Sequence, residues 1–362
     1  MTQPPPVPAA SPQFSRPCEG CGARVEFSPG TLDLVCPYCG HSQKIAAPAR
    51  QVREHSYEQL VSTPRKPAAE IAEHHFVCSG CGAHTLSDAL SHQCQFCAAP
   101  LVADPSEDPQ IVPEAVVPFQ LDRSAAREAL RKWTRSRWFA PNRLKKVTEA
   151  ETLKSTYLPH WTFDARTVTD YTGQRGEHYY VTVTDSDGES REERRTAWYP
   201  AAGTVARDFD DVLVVATDRV PVDRLDALDP WPLAEARPFT PDFLAGHHTV
   251  RYSVEPEHGR TAAEDKMRRA IEQDCRRDIG GDEQRVDSMH TRYSDVTCKL
   301  LLLPVWSGSY LYNGKSWQVL VNGCTGEVQG DRPYSAVKIA FAVLVLLAVV
   351  AAIVLLAVGN GS

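Results

Sequence analysis

The sequence lacks most of the features by which an enzyme or a secreted protein is recognised. It contains no G-x-S-x-G or H-E-x-x-H motif, and the segment 308–316 is one residue too long and too bulky for a phosphate loop. The first fourteen residues have neither a charged region nor an apolar core, so we expect no secretory signal. The formal net charge of −7 provides no general attraction to nucleic acid. These absences predict a protein that is not an enzyme.

Cysteine, in contrast, is abundant, but its number does not fit a disulfide framework. Of eleven cysteines, eight form four C-x-x-C pairs and three, Cys275, Cys298 and Cys324, stand alone. An odd total argues against closed disulfides. Paired cysteines in a reducing compartment usually bind metal. We therefore expect a cytoplasmic location, with the three lone thiols buried as small apolar residues.

The paired cysteines form two quartets with the spacing of zinc ribbons. The intervals are two, fourteen and two residues in the first quartet, and two, twelve and two in the second. The quartets are Cys18, Cys21, Cys36 and Cys39, and then Cys78, Cys81, Cys94 and Cys97. Two facing C-x-x-C turns place four thiolates around one tetrahedral ion, so we predict two structural Zn²⁺ ions. A redox dithiol or an iron–sulfur site is the alternative. Because metal binding and folding are coupled within each small site, loss of Cys36 should unfold the first ribbon only.

The segments between the cysteine pairs carry little positive charge. The first sets Arg24 against Glu26 and Asp33, and the second has Asp88 and no Lys or Arg. Phosphate contacts supply most of the affinity for nucleic acid, and they require cations. We therefore expect the ribbons to bind protein or to be purely structural, and nucleic acid is not the expected partner.

Composition divides the chain into seven parts. They are a disordered leader (1–17), zinc ribbon 1 (18–43), a linker (44–75), zinc ribbon 2 (76–99), a Pro-rich linker (100–118), a body (119–336) and a transmembrane helix (337–358). The body mixes helical and strand patterns, with strand signals the clearer of the two. The predicted fold class is α+β, with two zinc ribbons, an antiparallel sheet in the body and one C-terminal transmembrane helix.

Two helices and a tight hairpin are predicted within the body. One helix begins at Ser124 and runs to about Phe139, and a second spans about 262–278 and ends at Gly280. The segment 310–321 reads as a hairpin around an Asn-Gly turn.

The body also shows signs of internal repetition. The sequence YLPHW at 157–161 resembles LLPVW at 302–306, and Pro118-Phe119 resembles Pro238-Phe239. A duplicated body, with repeats over about 118–235 and 236–333, is therefore predicted.

An unbroken apolar run lies near the C-terminus. Residues 339–358 are twenty consecutive apolar residues, which as a helix would span about 30 Å, the thickness of a bilayer core. Arg332 and Lys338 precede the run. The pattern predicts a tail-anchored, single-pass membrane protein whose body faces the cytoplasm.

A cationic segment and an acidic loop have two interpretations each. The segment 122–146 contains nine basic residues: Arg123, Arg127, Arg131, Lys132, Arg135, Arg137, Arg143, Lys145 and Lys146. It is either a solvated helix face or a patch for an anionic surface, of which anionic lipid is the nearest candidate. The loop 280–286 is either a helix cap with an internal ion pair or an acid/base pair formed by Asp282 and Glu283.

Several segments together resemble a family of bacterial membrane proteins with a transcription-factor-IIB-like zinc ribbon at the N-terminus and no assigned activity. They are RWFAP (137–141), YLPHWTFDA (157–165), YTGQRGEHYY (171–180), FDDVLV (209–214), RRDIGGDEQRV (276–286), LLPVW (302–306) and VNGCTGEVQGDRPYS (321–335). They cover most of 120–336. The resemblance implies a membrane location and recruitment beside a flotillin-like membrane scaffold.

These observations predict a membrane-tethered adaptor whose zinc ribbons bind other proteins. The alternative is a membrane-tethered nucleic-acid-binding or transcription-linked regulator that acts through the segment 122–146. A third hypothesis is an enzyme that uses the loop 280–286.

Overall fold

A computed structural model describes the protein over most of its length. The described residues are 13–14, 16–46, 50–64, 74–78, 84–87, 89–94, 99–103, 111–136, 153–184, 189–312, 315–330, 338, 340, 343–345 and 347–351.

Strands outnumber helices in this part of the chain. The strands are β1 Gln13–Phe14, β2 Glu26–Phe27, β3 Asp33–Val35, β4 Ser42–Lys44, β5 His55–Ser56, β6 His74–Val77, β7 His84–Ser87, β8 Ser91–Gln93, β9 Pro100–Ala103, β10 Ala115–Val116, β11 Lys154–Thr184, β12 Ser190–Val215, β13 Arg237–Pro238, β14 His248–Thr249, β15 Glu283–Tyr312, β16 Lys315–Asn322 and β17 Val328–Gly330. The helices are α1 Tyr57–Ser62, α2 Arg123–Ser136, α3 Val222–Asp226 and α4 Pro256–Ile279, with 3-10 turns at Leu233–Glu235 and Pro241–Leu244.

The predicted α+β fold class is wrong. Strands predominate among the described residues, and one twelve-stranded sheet contains most of them. Gly173, Gly176 and Gly203 lie inside the long strands and do not interrupt them. A Cβ at Gly173 would lie 2.2 Å from the Arg285 carbonyl oxygen, so close backbone approach, and not a turn, accounts for that glycine.

The predicted C-terminal transmembrane helix is also wrong. No helix in the described part of the chain is long and apolar enough to cross a membrane. The described residues of the predicted span are 338, 340, 343–345 and 347–351, and they are helical. The rest of the predicted span, including 352–358, lies outside the described residues.

Three long strands form the centre of the sheet. β11, β12 and β15 contain 31, 26 and 30 residues. β11 lies between the other two and is antiparallel to both. β15 begins opposite Gly176, so β11 and β12 continue past it as a two-stranded hairpin. We term this hairpin, residues 175–184 and 190–199, the arm.

Side-chain alternation along β11 explains where the second long helix packs. From Ala165 to Gly173 the odd-numbered residues are buried and the even-numbered ones are exposed. The helix α4 covers the buried face with Met267, Ile271 and Cys275. The predicted stop is confirmed, because Gly280 caps α4 with a positive φ of 65°.

The predicted α2 helix is present, and the strands of the predicted hairpin pair, while its Asn313-Gly314 turn lies outside the described residues. α2 buries Ala126 and Leu130 as its spacing indicated. Its first turn is capped by the Asp122 carboxylate, which accepts a 2.7 Å hydrogen bond from the Ala125 N–H, and not by Ser124. Tyr312 pairs with Lys315 across the two-residue connection.

The two halves of the body make matching contacts. The Trp161 ring lies 5.4 Å from Tyr252 at 61°, and Trp306 lies 5.3 Å from Phe119 at 62°. Each indole N–H donates to a backbone carbonyl two residues beyond that partner: Trp161 to Val254 at 2.8 Å, and Trp306 to Leu121 at 3.0 Å. The sequence comparison matched Phe119 with Phe239, but by these contacts the counterpart of Phe119 in the second half is Tyr252. The short strand just before each partner ring pairs in parallel with a long strand: β10, before Phe119, pairs with β15, and β14, before Tyr252, pairs with β11.

Candidate metal centre

The first cysteine quartet lies on two turns with the same hydrogen bonds. The Cys18 N–H donates to the Ala23 carbonyl at 2.6 Å, and the Cys36 N–H donates to the His41 carbonyl at 2.9 Å. Gly22 and Gly40 follow the second cysteine of each pair with φ of 71° and 74°, values that favour glycine. The sheet β2–β3–β4 holds the two turns face to face.

The four thiols of this quartet could hold one metal ion. Their Sγ atoms all lie within 4.8 Å of one another. The Cys18 and Cys39 sulfurs are 3.6 Å apart, and the Cys21 and Cys36 sulfurs are 3.7 Å apart. Cys18 and Cys36 are buried, whereas Cys21 and Cys39 are exposed. The site therefore has an inner half within the protein and an outer half at the surface.

The pKa values of Cys36 and Cys39 shift in opposite directions. Hydrogen bonding from the Cys39 backbone N–H lowers the pKa of Cys36 to about 7. The His41 backbone N–H acts to lower the pKa of Cys39, but the Cys21 thiol, burial and the other two thiols outweigh it and raise that pKa to about 12. Four crowded thiols cannot all ionise unless a cation joins them, and a divalent ion supplies that charge.

The second quartet is described in part. Cys78 and Cys94 are buried beside Phe76, while Cys81 and Cys97 lie outside the described residues. The Cys94 N–H donates to the Ala99 carbonyl at 2.8 Å, the same bond that closes both turns of the first quartet. The backbone hydrogen bond of Cys94 therefore matches those of the two cysteine turns of ribbon 1, and residues 95–98 lie outside the described residues.

Ribbon 1 is packed into the body and is not a free module. Phe27 and Leu34 are 4% and 0% exposed and share one core cluster with residues of the body. The Phe27 ring lies edge-on to Phe243 at 5.4 Å. The backbone continues the contact, because the Phe27 N–H donates to the Ala245 carbonyl at 3.0 Å.

The cationic segment is described over its first half. Arg123, Arg127, Arg131, Lys132 and Arg135 lie on α2, and Arg137, Arg143, Lys145 and Lys146 lie outside the described residues. Arg123 sits over the Trp306 ring at 5.9 Å, and Arg131 pairs with Glu128 at 3.6 Å. Lys132 and Arg135 are exposed. A role at an anionic surface stays a prediction.

The loop 280–286 fastens the arm to α4. The Asp282 carboxylate accepts a 2.7 Å hydrogen bond from the His178 N–H. Glu283 lies 2.9 Å from the His178 ring, and this hydrogen bond, followed by one from Thr196, lowers the pKa of Glu283. Arg285 stacks on Trp198 at 3.9 Å. The acidic pair thus has a structural use at the base of the arm.

An ion cluster in the body was not predicted from the sequence. Lys299, 6% exposed, lies 2.5 Å from the Asp211 carboxylate and also contacts Glu54. Asp164 accepts hydrogen bonds from the Asp211 N–H at 2.7 Å and from the Thr297 hydroxyl at 2.9 Å. The three carboxylates could hold a cation, and the Lys299 ammonium already supplies one. These residues come from distant segments, so no local motif marks them.

The three lone cysteines are buried, as predicted. Cys275, Cys298 and Cys324 are 0%, 0% and 6% exposed. Burial raises the pKa of all three, to about 12 for Cys298 and Cys324. They are therefore protonated apolar residues and not ligands.

The arm carries exposed aromatic side chains that the sequence analysis did not single out. Tyr179, Tyr180 and Tyr199 are 45%, 65% and 55% exposed. Tyr179 lies opposite Arg195 and Tyr180 opposite Arg194. Tyrosine and arginine are enriched at protein interfaces.

Among known proteins, the chain is similar to the uncharacterized protein YdjG of Bacillus subtilis (strain 168). The two are 24% identical over 337 residues, which span 90% of this chain and 92% of the Bacillus protein. No family model matches the chain. No solved structure matches it either. The similarity covers most of both proteins, and the name of the Bacillus protein describes no activity.

Proposed function

We propose that this protein is a zinc-stabilised adaptor that binds another protein through its arm. The observation that carries the proposal is the geometry of the first quartet, in which four thiols surround one point on a ribbon that completes the core of the body. The ion holds a scaffold together, and the scaffold presents the arm.

Zinc is the metal that suits four thiolates best among common cations. Structural zinc takes four cysteine sulfurs in a closed tetrahedron, whereas calcium and magnesium prefer oxygen. The second ion would bind at Cys78, Cys81, Cys94 and Cys97, and the matching backbone hydrogen bond of Cys94 supports it.

Metal analysis of the reduced, anaerobically purified full chain tests this step. We expect about two zinc ions per chain, and about one in Cys36→Ser. Cys275→Ala is the matched control, because it removes a buried lone thiol and should keep two. Iron in place of zinc, or no metal at all in the full chain, would contradict the proposal.

The arm suits protein binding for two reasons. Its tyrosines are exposed on both faces of a hairpin, because Tyr179 and Tyr180 are adjacent in one strand. The contacts of Asp282 and Glu283 hold the base of the arm in place, so the arm would lose little conformational freedom on binding.

Site-specific crosslinking tests the role of the arm. A photoreactive residue at Tyr180 should give a discrete crosslinked partner in cells, and one at Val222, which is 50% exposed on α3, should not. Replacing Tyr179 and Tyr199 with Ser should remove the product formed at position 180. Equal crosslinking at positions 180 and 222, or no effect of the Ser changes, would refute the role of the arm.

A further inference from the structure

The N-terminal segment occupies a groove between ribbon 1, β9 and the body. Gln13 and Phe14 pair with Ala103 and Val102 as an added antiparallel strand. The Arg16 Nε then lies 3.2 Å from the Asp242 carboxylate. The chain therefore places a short extended segment, followed by an arginine, across a sheet edge and an acidic residue.

Asp242 is placed to receive a cation from outside the body. Its side chain is 4% exposed, and burial raises its pKa while Arg16 lowers it. Its Oδ1 accepts no hydrogen bond from the described residues, so the ion pair with Arg16 is the contact that offsets the buried charge there. A buried carboxylate without a cation is costly.

The described contacts that hold this segment are short-range. Gln13 and Phe14 pair with two of the four β9 residues, and the other edge of β9 pairs with β8. Pro17 bridges to Arg24 and its carbonyl accepts a 3.4 Å hydrogen bond from Gln43, while the Arg16 side chain is 34% exposed. A cleft of 440 Å³ lies alongside and is lined in part by Arg24, Tyr38 and Pro100. A longer peptide could pair with more of β9 and also enter this cleft.

We infer that the groove between β9 and Asp242 is a strand-addition site for an extended, arginine-bearing peptide of a partner protein. The chain's own residues 13–14 and 16–17 occupy it in cis and compete with that peptide. Added strands gain affinity from main-chain hydrogen bonds and specificity from side-chain pockets, here the Asp242 carboxylate. The inference rests on the proposed adaptor function only for the existence of a partner, and it concerns a surface distinct from the arm.

Peptide binding to the full chain tests the inference. The probe is a fluorescein-labelled peptide of residues 9–17, and binding is read by anisotropy. Arg16→Glu should bind it at least about tenfold more tightly than the wild type, because like charge at Asp242 expels the segment in cis. Adding Asp242→Asn to that variant should weaken binding by at least about tenfold. Adding Glu19→Gln, an exposed acid nearby, should leave binding unchanged.

Hydrogen exchange on the wild type gives a second readout that needs no variant. Excess unlabelled peptide should deprotect the amides of residues 13–14 while those of 102–103 stay protected. Equal binding by the wild type and Arg16→Glu, or no effect of Asp242→Asn, would overturn the inference. Dimers in which residues 13–17 crosslink to β9 of a second copy would overturn the cis assignment. The arm crosslinks would be unaffected by any of these results.

Discussion

Replacing Phe27 in ribbon 1 with Ala should destabilise the whole body. Phe27 is 4% exposed, and its ring contacts Phe243 at 5.4 Å and His247 at 5.8 Å. Removing a buried phenyl ring costs about 3–5 kcal/mol, from lost transfer free energy and the cavity left behind. If ribbon and body unfold as one unit, that whole loss appears in the unfolding free energy of the body.

Tryptophan fluorescence shows whether ribbon 1 and the body unfold together or separately. All seven tryptophans lie at or beyond residue 133, so none is in a ribbon. We expect the urea midpoint of the tryptophan transition to fall in Phe27→Ala with the slope unchanged. Leu32→Ala is the matched control, because Leu32 is in the same ribbon but 47% exposed, and it should shift the midpoint little. An unmoved tryptophan transition in Phe27→Ala would refute the coupling of ribbon and body.

Three further predictions use the same assay. Trp161→Phe and Trp306→Phe should each lose about 1–3 kcal/mol, by similar amounts, because each removes one indole-to-carbonyl hydrogen bond in a matched position. Burial lowers the pKa of His247 to about 3, so as the pH falls the unfolded state binds a proton at this residue before the folded state does. The free energy of unfolding should therefore fall as pH drops from about 6.5 to 4. His247→Phe should flatten that decline, and an unchanged pH profile would contradict it. Lys299→Met should cost about 3–5 kcal/mol, because it leaves the Asp211 carboxylate without its ammonium partner, and a stable variant would contradict this.

The cysteine turns of ribbon 1 and the main helices were predictable because their signals are local. A C-x-x-C pair followed by glycine specifies one tight turn, and the turns at Cys18 and Cys36 formed as expected. The apolar spacing of α4 and the stop at Gly280 likewise depend on a single stretch of chain.

Ribbon 1 was expected to unfold independently of the body, and the sequence alone offers no check of that expectation. Spacing shows that Phe27 and Leu34 belong to a ribbon, but it does not show what covers them. The structure buries both against the body, so losing Cys36 is expected to lower the stability of the body as well as that of ribbon 1.

The sequence by itself determined the cysteine turns, the α2 and α4 helices and the short hairpin at 312–315, because each depends on residues a few positions apart. Only the tertiary structure decided that β11, β12 and β15 form three long paired strands, that β10 pairs with β15 and β14 with β11, and that Lys299 meets Asp211. Those contacts join residues far apart in the chain, and which distant strand edges and charges meet depends on the packing of the whole sheet.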